Sequence, residues 1–217
     1  MADDKTMEAS PGLTAALPLV KASYTSAGTT YDSPAMGPND AKVKVIVYSD
    51  FQCPVCRRAV EPLKALVRAA GDVQVIWRNH PLAMHDRAEP AARAAMAAFR
   101  QGKFWEMHDR IFESRALGDA DLRAHAQGAG LDMARYDKDL ADPTLAAQIA
   151  AESAQADALD AQGTPAFFVN GDKTVGWGSR LGLQYQIDQA RTAAGDKTAE
   201  QATQAKDASA AKVIFGR

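Results

Sequence analysis

The 217-residue sequence predicts an α/β fold in the order βαβ…ββα, with an all-helical subdomain inserted between its two halves. Three observations carry this. Two short β-branched runs flank one amphipathic stretch near residues 43–77. Helical periodicity then continues from about 87 to 161. Strand patterning returns at 166–175 around an Asn-Gly turn, ahead of a last helix.

Residues 1–38 are rich in Ala, Ser, Thr, Gly and Pro and keep no steady period, which predicts a flexible arm. Val43, Val45, Ile46, Val47 and Tyr48 form a buried strand by their β-branched run. From Cys56 to Ala70, Val60, Leu63, Leu66 and Val67 fall on one helical face. Arg57, Arg58, Glu61, Lys64 and Arg68 fall on the other, which is expected to face solvent. Pro62 removes a hydrogen bond inside this helix, and Gly71 is a natural stop. Val73 to Trp77 reads as a second strand, and strand–helix–strand at this length is a parallel βαβ unit.

In the insertion, Glu89 and Arg93 make an i,i+4 pair on an Ala-rich helix, and Phe104, Met107, His108 and Ile111 share a face of the next. Asp119, Asp132 and Asp142-Pro143 are expected to start helices by N-cap chemistry and by proline in the first turn. Leu145, Ile149, Ala156 and Leu159 give the last inserted helix its inner face. Beyond it, Ala166–Val169 and Lys173–Val175 form a hairpin around Asn170-Gly171, and a helix covers about 180–194. The domain is thus expected over 39–195, with a tail over 196–217.

The near-neutral balance, 25 basic against 27 acidic residues for a net charge of −2, offers no general attraction to nucleic acid or to an anionic membrane. No apolar run approaches the roughly 18 residues of a spanning helix. Residues 1–23 hold three acids and no continuous apolar core, so no signal peptide is read there.

Two cysteines, three positions apart, hold all the thiol chemistry: Cys53-Pro54-Val55-Cys56. A strand turning into a helix puts the first beside free backbone N–H groups and the positive end of the helix dipole, both of which favour a thiolate. The thiolate is the species that attacks or leaves in disulfide exchange. Pro54 fits the first turn, where its missing N–H costs nothing. Cys56, one turn in, is expected to be the more buried, resolving thiol.

A zinc site needs four ligands, and His80, His85, His108 and His125 form no matching pair, so no metal and no cofactor are expected. His108 reads as a core histidine; His80 and His85 read as loop or surface residues. In Gly163-Thr164-Pro165-Ala166, Pro165 either adopts the cis isomer against the motif or simply begins an edge strand.

The segment Ser49-Asp50-Phe51-Gln52-Cys53-Pro54-Val55-Cys56 resembles the active-site segment of bacterial DsbA-like thiol–disulfide oxidoreductases. Gly163-Thr164-Pro165-Ala166-Phe167-Phe168-Val169-Asn170-Gly171 resembles their cis-proline segment, and Ala88–Ala98 with Lys103-Phe104-Trp105 resembles the start of their helical insertion. The likeness spans about residues 38–195. It implies a thioredoxin-like fold, a cis Pro165, and disulfide chemistry outside the cytoplasm on unfolded or partly folded cysteine-containing proteins. Cys53 would be the exposed attacking cysteine and Cys56 the resolving one. Thr164 and Pro165, with Pro54 and Val55, would meet the substrate. A membrane or soluble redox partner would reset the pair. Many relatives carry an acid six positions before the first cysteine; here that residue is Val47, which leaves Cys56 without that proton acceptor. The expected function is disulfide formation. Reduction or isomerisation on the same fold, and a redox-idle peptide- or metal-binding module, are the alternatives.

Overall fold

A computed structural model describes residues 19–175 and 180–195. The predicted tail at 196–217 and the first 18 residues of the predicted arm lie outside them. In chain order the elements are β1 (Leu19–Ser26), β2 (Thr29–Met36), β3 (Val43–Ser49), α1 (Pro54–Ala70), β4 (Val73–Asn79), α2 (Ala88–Arg100), α3 (Phe104–Ser114) and α4 (Asp119–Gly128). α5 (Met133–Ala141), α6 (Pro143–Ala158), β5 (Ala166–Val169), β6 (Asp172–Val175) and α7 (Arg180–Ala193) follow. One sheet runs β1-β2-β4-β3-β5-β6. β3 and β4 pair in parallel and the other neighbours are antiparallel, as the βαβ and hairpin patterns predict.

β3 is buried on both faces, and its period of two sorts the layers. Val43, Val45 and Val47 point into the main core with Leu63, Leu66 and Val67 of α1. Ile46 and Tyr48 point the other way, against Ala156 of α6 and Phe168 of β5. The insertion α2–α6 is joined to the sheet by stacked rings. Trp77 of β4 lies 4.9 Å edge-on to His108 and 5.0 Å from Phe51, while Phe112 of α3 lies 5.0 Å from Phe51.

Several terminators act as the sequence predicts. Gly71 caps α1 in the left-handed region at φ 64°. Asp132 and Asp142 accept backbone N–H bonds at the starts of α5 and α6. Asn170 (φ 48°) and Gly171 (φ 107°) make the β5–β6 turn. Asp119 is one place off: Gly118 is the N-cap of α4, and its N–H donates to Asp121 Oδ2.

Four expectations are overturned. The flexible arm over 1–38 is, across 19–36, a two-stranded hairpin on the sheet edge. It is held by the Tyr24 bond to Glu152 and by backbone pairing that low hydrophobicity concealed. Leu159 is 44% exposed because α6 ends at Ala158, before the inner face returns. His80 sits in the loop after β4, as expected, but is buried there rather than at the surface, with Nδ1 2.8 Å from Ser153 Oγ. Lys64 is buried rather than on a solvent face, because Asp109 of α3 supplies a partner at 2.5 Å. The helix periodicity could not show that neighbour.

Candidate active site

The loop from β3 to α1 is set by Asp50, an almost wholly buried carboxylate. Its Oδ1 accepts from the N–H groups of Gln52 (2.7 Å) and Cys53 (3.1 Å), and its Oδ2 accepts from the Leu82 N–H (2.9 Å). His85 Nδ1 lies 2.8 Å from the same Oδ2. An aspartate that bonds the backbone two and three residues onward holds a tight turn, and this one also ties the turn to the loop after β4. Sequence reading gave neither Asp50 nor His85 this part. The available signal was an aspartate at a strand end, just ahead of the cysteine pair.

This turn leaves Cys53 as the N-cap of α1, with extended backbone (φ −71°, ψ 121°) and Pro54 in the first helical turn. No Asp or Glu occupies that turn, so no carboxylate offsets the positive helix end. Both cysteines are free thiols. The Cys53 thiol donates to the Thr164 carbonyl at 3.3 Å, which brings together the two segments the sequence singled out. The Thr164–Pro165 bond is cis. Cys56 Sγ accepts from the Asp50 N–H at 3.5 Å.

The two thiols are driven apart in acidity. A hydrogen bond from the Cys56 thiol, helped by the N–H groups of Cys56 and Val55, outweighs burial and pulls Cys53 down to about 5. Burial pushes Cys56 up, and the neighbouring Cys53 adds to that. A depressed first thiol beside a raised second is what directional exchange requires.

The expected exposure of Cys53 needs correction. It is 5% exposed, against 2% for Cys56, because the loop is folded tightly over the sulfur. Access comes through a groove of about 190 Å³ walled by Phe51, Pro54, Arg57, Phe112, Arg115 and Leu117, with Cys53 in its lining. Pro54 is exposed on the rim, Val55 is half-buried against the core, and Pro165 is buried. The Thr164 carbonyl is engaged by Cys53 rather than free, and its hydroxyl is buried with no partner among the described residues. Val47 lines a small cavity with Cys56. Among the described residues no group of three or more His, Cys, Asp or Glu side chains is arranged to hold a metal ion, and no helix is long and apolar enough to cross a membrane.

Residues 29–210 match the thioredoxin family. The chain is similar in structure to a thioredoxin-like oxidoreductase from Silicibacter pomeroyi, with 32% identity and a TM-score of 0.69 over 74% of this chain and 92% of that one. It shares a fold with the thiol-disulfide exchange protein α-DsbA2 of Wolbachia pipientis (20% identity, TM-score 0.67, 72% and 86% covered). The same holds for DsbA2 of Pseudomonas aeruginosa (24% identity, TM-score 0.60, 71% and 92% covered). Among curated proteins, 142 residues are 42% identical to part of the Na(+)/H(+) antiporter NhaA 3 of Salinispora tropica; the match takes in 64% of this chain and 22% of that one. The similarity thus concerns one segment of a much longer protein.

Proposed function

The chain belongs to the thioredoxin family, with a DsbA-like fold, and from that premise we propose that it exchanges disulfides with cysteine-containing proteins through Cys53 and Cys56. The observation that carries this is the pair of free thiols at a helix N-terminus, Cys53 as the N-cap and 3.3 Å from the Thr164 carbonyl.

As an oxidant, the Cys53–Cys56 disulfide is attacked at Cys53 by a substrate thiolate, and Cys56 leaves. A second substrate thiolate then attacks the substrate sulfur of the mixed disulfide and expels Cys53. The substrate is oxidised and the enzyme carries the two electrons. The more stable the Cys53 thiolate, the better it leaves, so a thiol held near 5 favours disulfide formation over reduction. The Val55 side chain supplies neither charge nor a hydrogen-bond donor beside that thiolate, which makes the pair less oxidising than one with histidine at that position. Unfolded or partly folded proteins would enter the groove between Phe112 and Pro54 and reach Cys53 in its lining, with Val55, Thr164 and Pro165 behind the sulfur. A separate redox partner would remove the electrons. Chemistry of this kind belongs where disulfides persist, outside the cytoplasm, and one protein with this fold, from Salmonella enterica, is described as periplasmic.

Refolding of reduced ribonuclease, insulin reduction and rescue of scrambled ribonuclease, each run beside Cys53→Ala, test the assignment. Disulfide formation is expected to lead the three and to vanish in the variant. Activity that survives the loss of Cys53 sinks the proposal, and dominant insulin reduction reverses its direction.

A further inference from the structure

Resting on the exchange chemistry above, we propose that His108 takes the proton from Cys56 and returns it, through one water in a cavity both side chains line, with Asp109 and Lys64 as positioning residues.

Cys56 has to lose a proton each time it attacks and regain one each time it leaves and stays reduced. Burial makes that loss costly, and no carboxylate lines the cavity beside Cys56. The cavity beside Cys56 is about 10 Å³, close to the minimum for one water. Most of its wall is apolar, including Val47, Val75 and Trp77. The polar residues lining it are Ser49, Cys56, Lys64 and His108.

His108 is 2% exposed, and its Nδ1 lies 2.9 Å from Asp109 Oδ1. Asp109 also receives Lys64 Nζ at 2.5 Å on Oδ2. Burial alone would raise this carboxyl, but the bonds from His108 and Lys64 hold it below its ordinary value, so it is ionised. An ionised carboxylate only accepts hydrogen bonds, so Nδ1 carries the hydrogen and Nε2 keeps its lone pair. Burial keeps the ring itself neutral near pH 7, although Asp109 favours the charged form. The result is a buried neutral base, oriented by a carboxylate that is itself fixed by an ammonium group. The charged and titratable groups around it are Asp109, Lys64 and Glu61, with Cys56 across the cavity and Cys53 beyond. Its other neighbours, Phe51, Trp77, Phe104, Trp105 and Phe112, carry no charge.

In the resolving step the Cys56 proton passes to the water while the water's proton passes to His108 Nε2. The Cys56 thiolate attacks the Cys53 sulfur of a mixed disulfide. The Cys53–Cys56 bond forms, the Cys53–substrate bond breaks, and the substrate leaves as a thiolate carrying the electron pair. The reverse step returns the proton from the imidazolium to Cys56.

The test follows the reduced protein mixed with oxidised glutathione, acid-quenched and weighed by mass spectrometry. In the native chain the Cys53–glutathione adduct is expected to form and to collapse quickly into the Cys53–Cys56 disulfide. In His108→Gln the collapse should slow by about 100-fold near pH 7, and the deficit should shrink as rising pH supplies hydroxide. The pH dependence of Cys53 alkylation should stay as in the native chain. Asp109→Asn, which keeps the ring, should slow the collapse less, with the same pH trend, and it carries the test if His108→Gln does not fold. Collapse at the native rate across the pH range in the folded variants overturns the proton route. Failure of the native chain to form the adduct overturns the exchange assignment instead.

Discussion

Asp50 shows how far one side chain can shape a reactive loop. Its two oxygens meet four nitrogen partners, three of them backbone N–H groups. Asp50→Ala would leave buried donors without acceptors, at roughly 1–3 kcal/mol each before the loop relaxes. We expect chemical denaturation to report a loss of about 3 kcal/mol, with Asp50→Asn losing less because its amide keeps one acceptor oxygen. A variant as stable as the native chain would show that the turn is held by other contacts. The cysteines and the Thr164-Pro165 pair were legible in the sequence, since their chemistry is local and few residue types can replace it. The parts played by Asp50, His85, Lys64 and Asp109 were not. Each depends on a partner 32 to 45 residues away, and periodicity carries no information about such neighbours.

At the scale of elements, the β1–β2 hairpin is joined to the helical insertion by a buried polar cluster. Glu152 of α6 is fully buried and accepts from the Asn79 N–H and Nδ2 at 2.7 Å each, from Gln148 Nε2 at 3.1 Å and from Tyr24 OH at 3.0 Å. The Arg78 guanidinium lies 3.4 Å from the centre of the Tyr24 ring. Tyr24→Phe keeps the ring and loses one bond to the carboxylate, so a loss of about 1–2 kcal/mol is expected in denaturant titrations; no loss would mean that the ring alone secures the hairpin. Burial raises the Glu152 carboxyl above its unfolded value. Its contribution is therefore present in full below about pH 4.3 and falls as pH rises beyond that. βαβ and the β5–β6 hairpin were readable because apolar runs and glycine turns announce them. β1 and β2 escaped because Thr, Ser and Ala on a sheet edge look like a linker until Tyr24 finds Glu152.

For the molecule as a whole, the acidity of Cys53 links redox state to stability. Its pKa is depressed in the folded reduced form, to about 5, against roughly 8.5 in an unfolded chain. Between those values the unfolded chain holds a proton that the folded one has lost, so the stability of the reduced form rises with pH. The oxidised form has no such term. The stability of reduced over oxidised protein should therefore be level below about pH 5, increase from there to about pH 8.5, and fall above it, where the unfolded Cys56 ionises and the buried one does not. Parallel denaturation curves of the two forms would read this directly, and a gap that does not change with pH would disconnect the thiolate from the fold.

The alkylation rate of Cys53 as a function of pH, read site by site by mass spectrometry on the reduced protein, bears most directly on the poised thiolate. The expected profile has its midpoint near 5, with Cys56 unreactive until far more alkaline pH. A midpoint for Cys53 at the free-thiol value of about 8.5 would contradict the account.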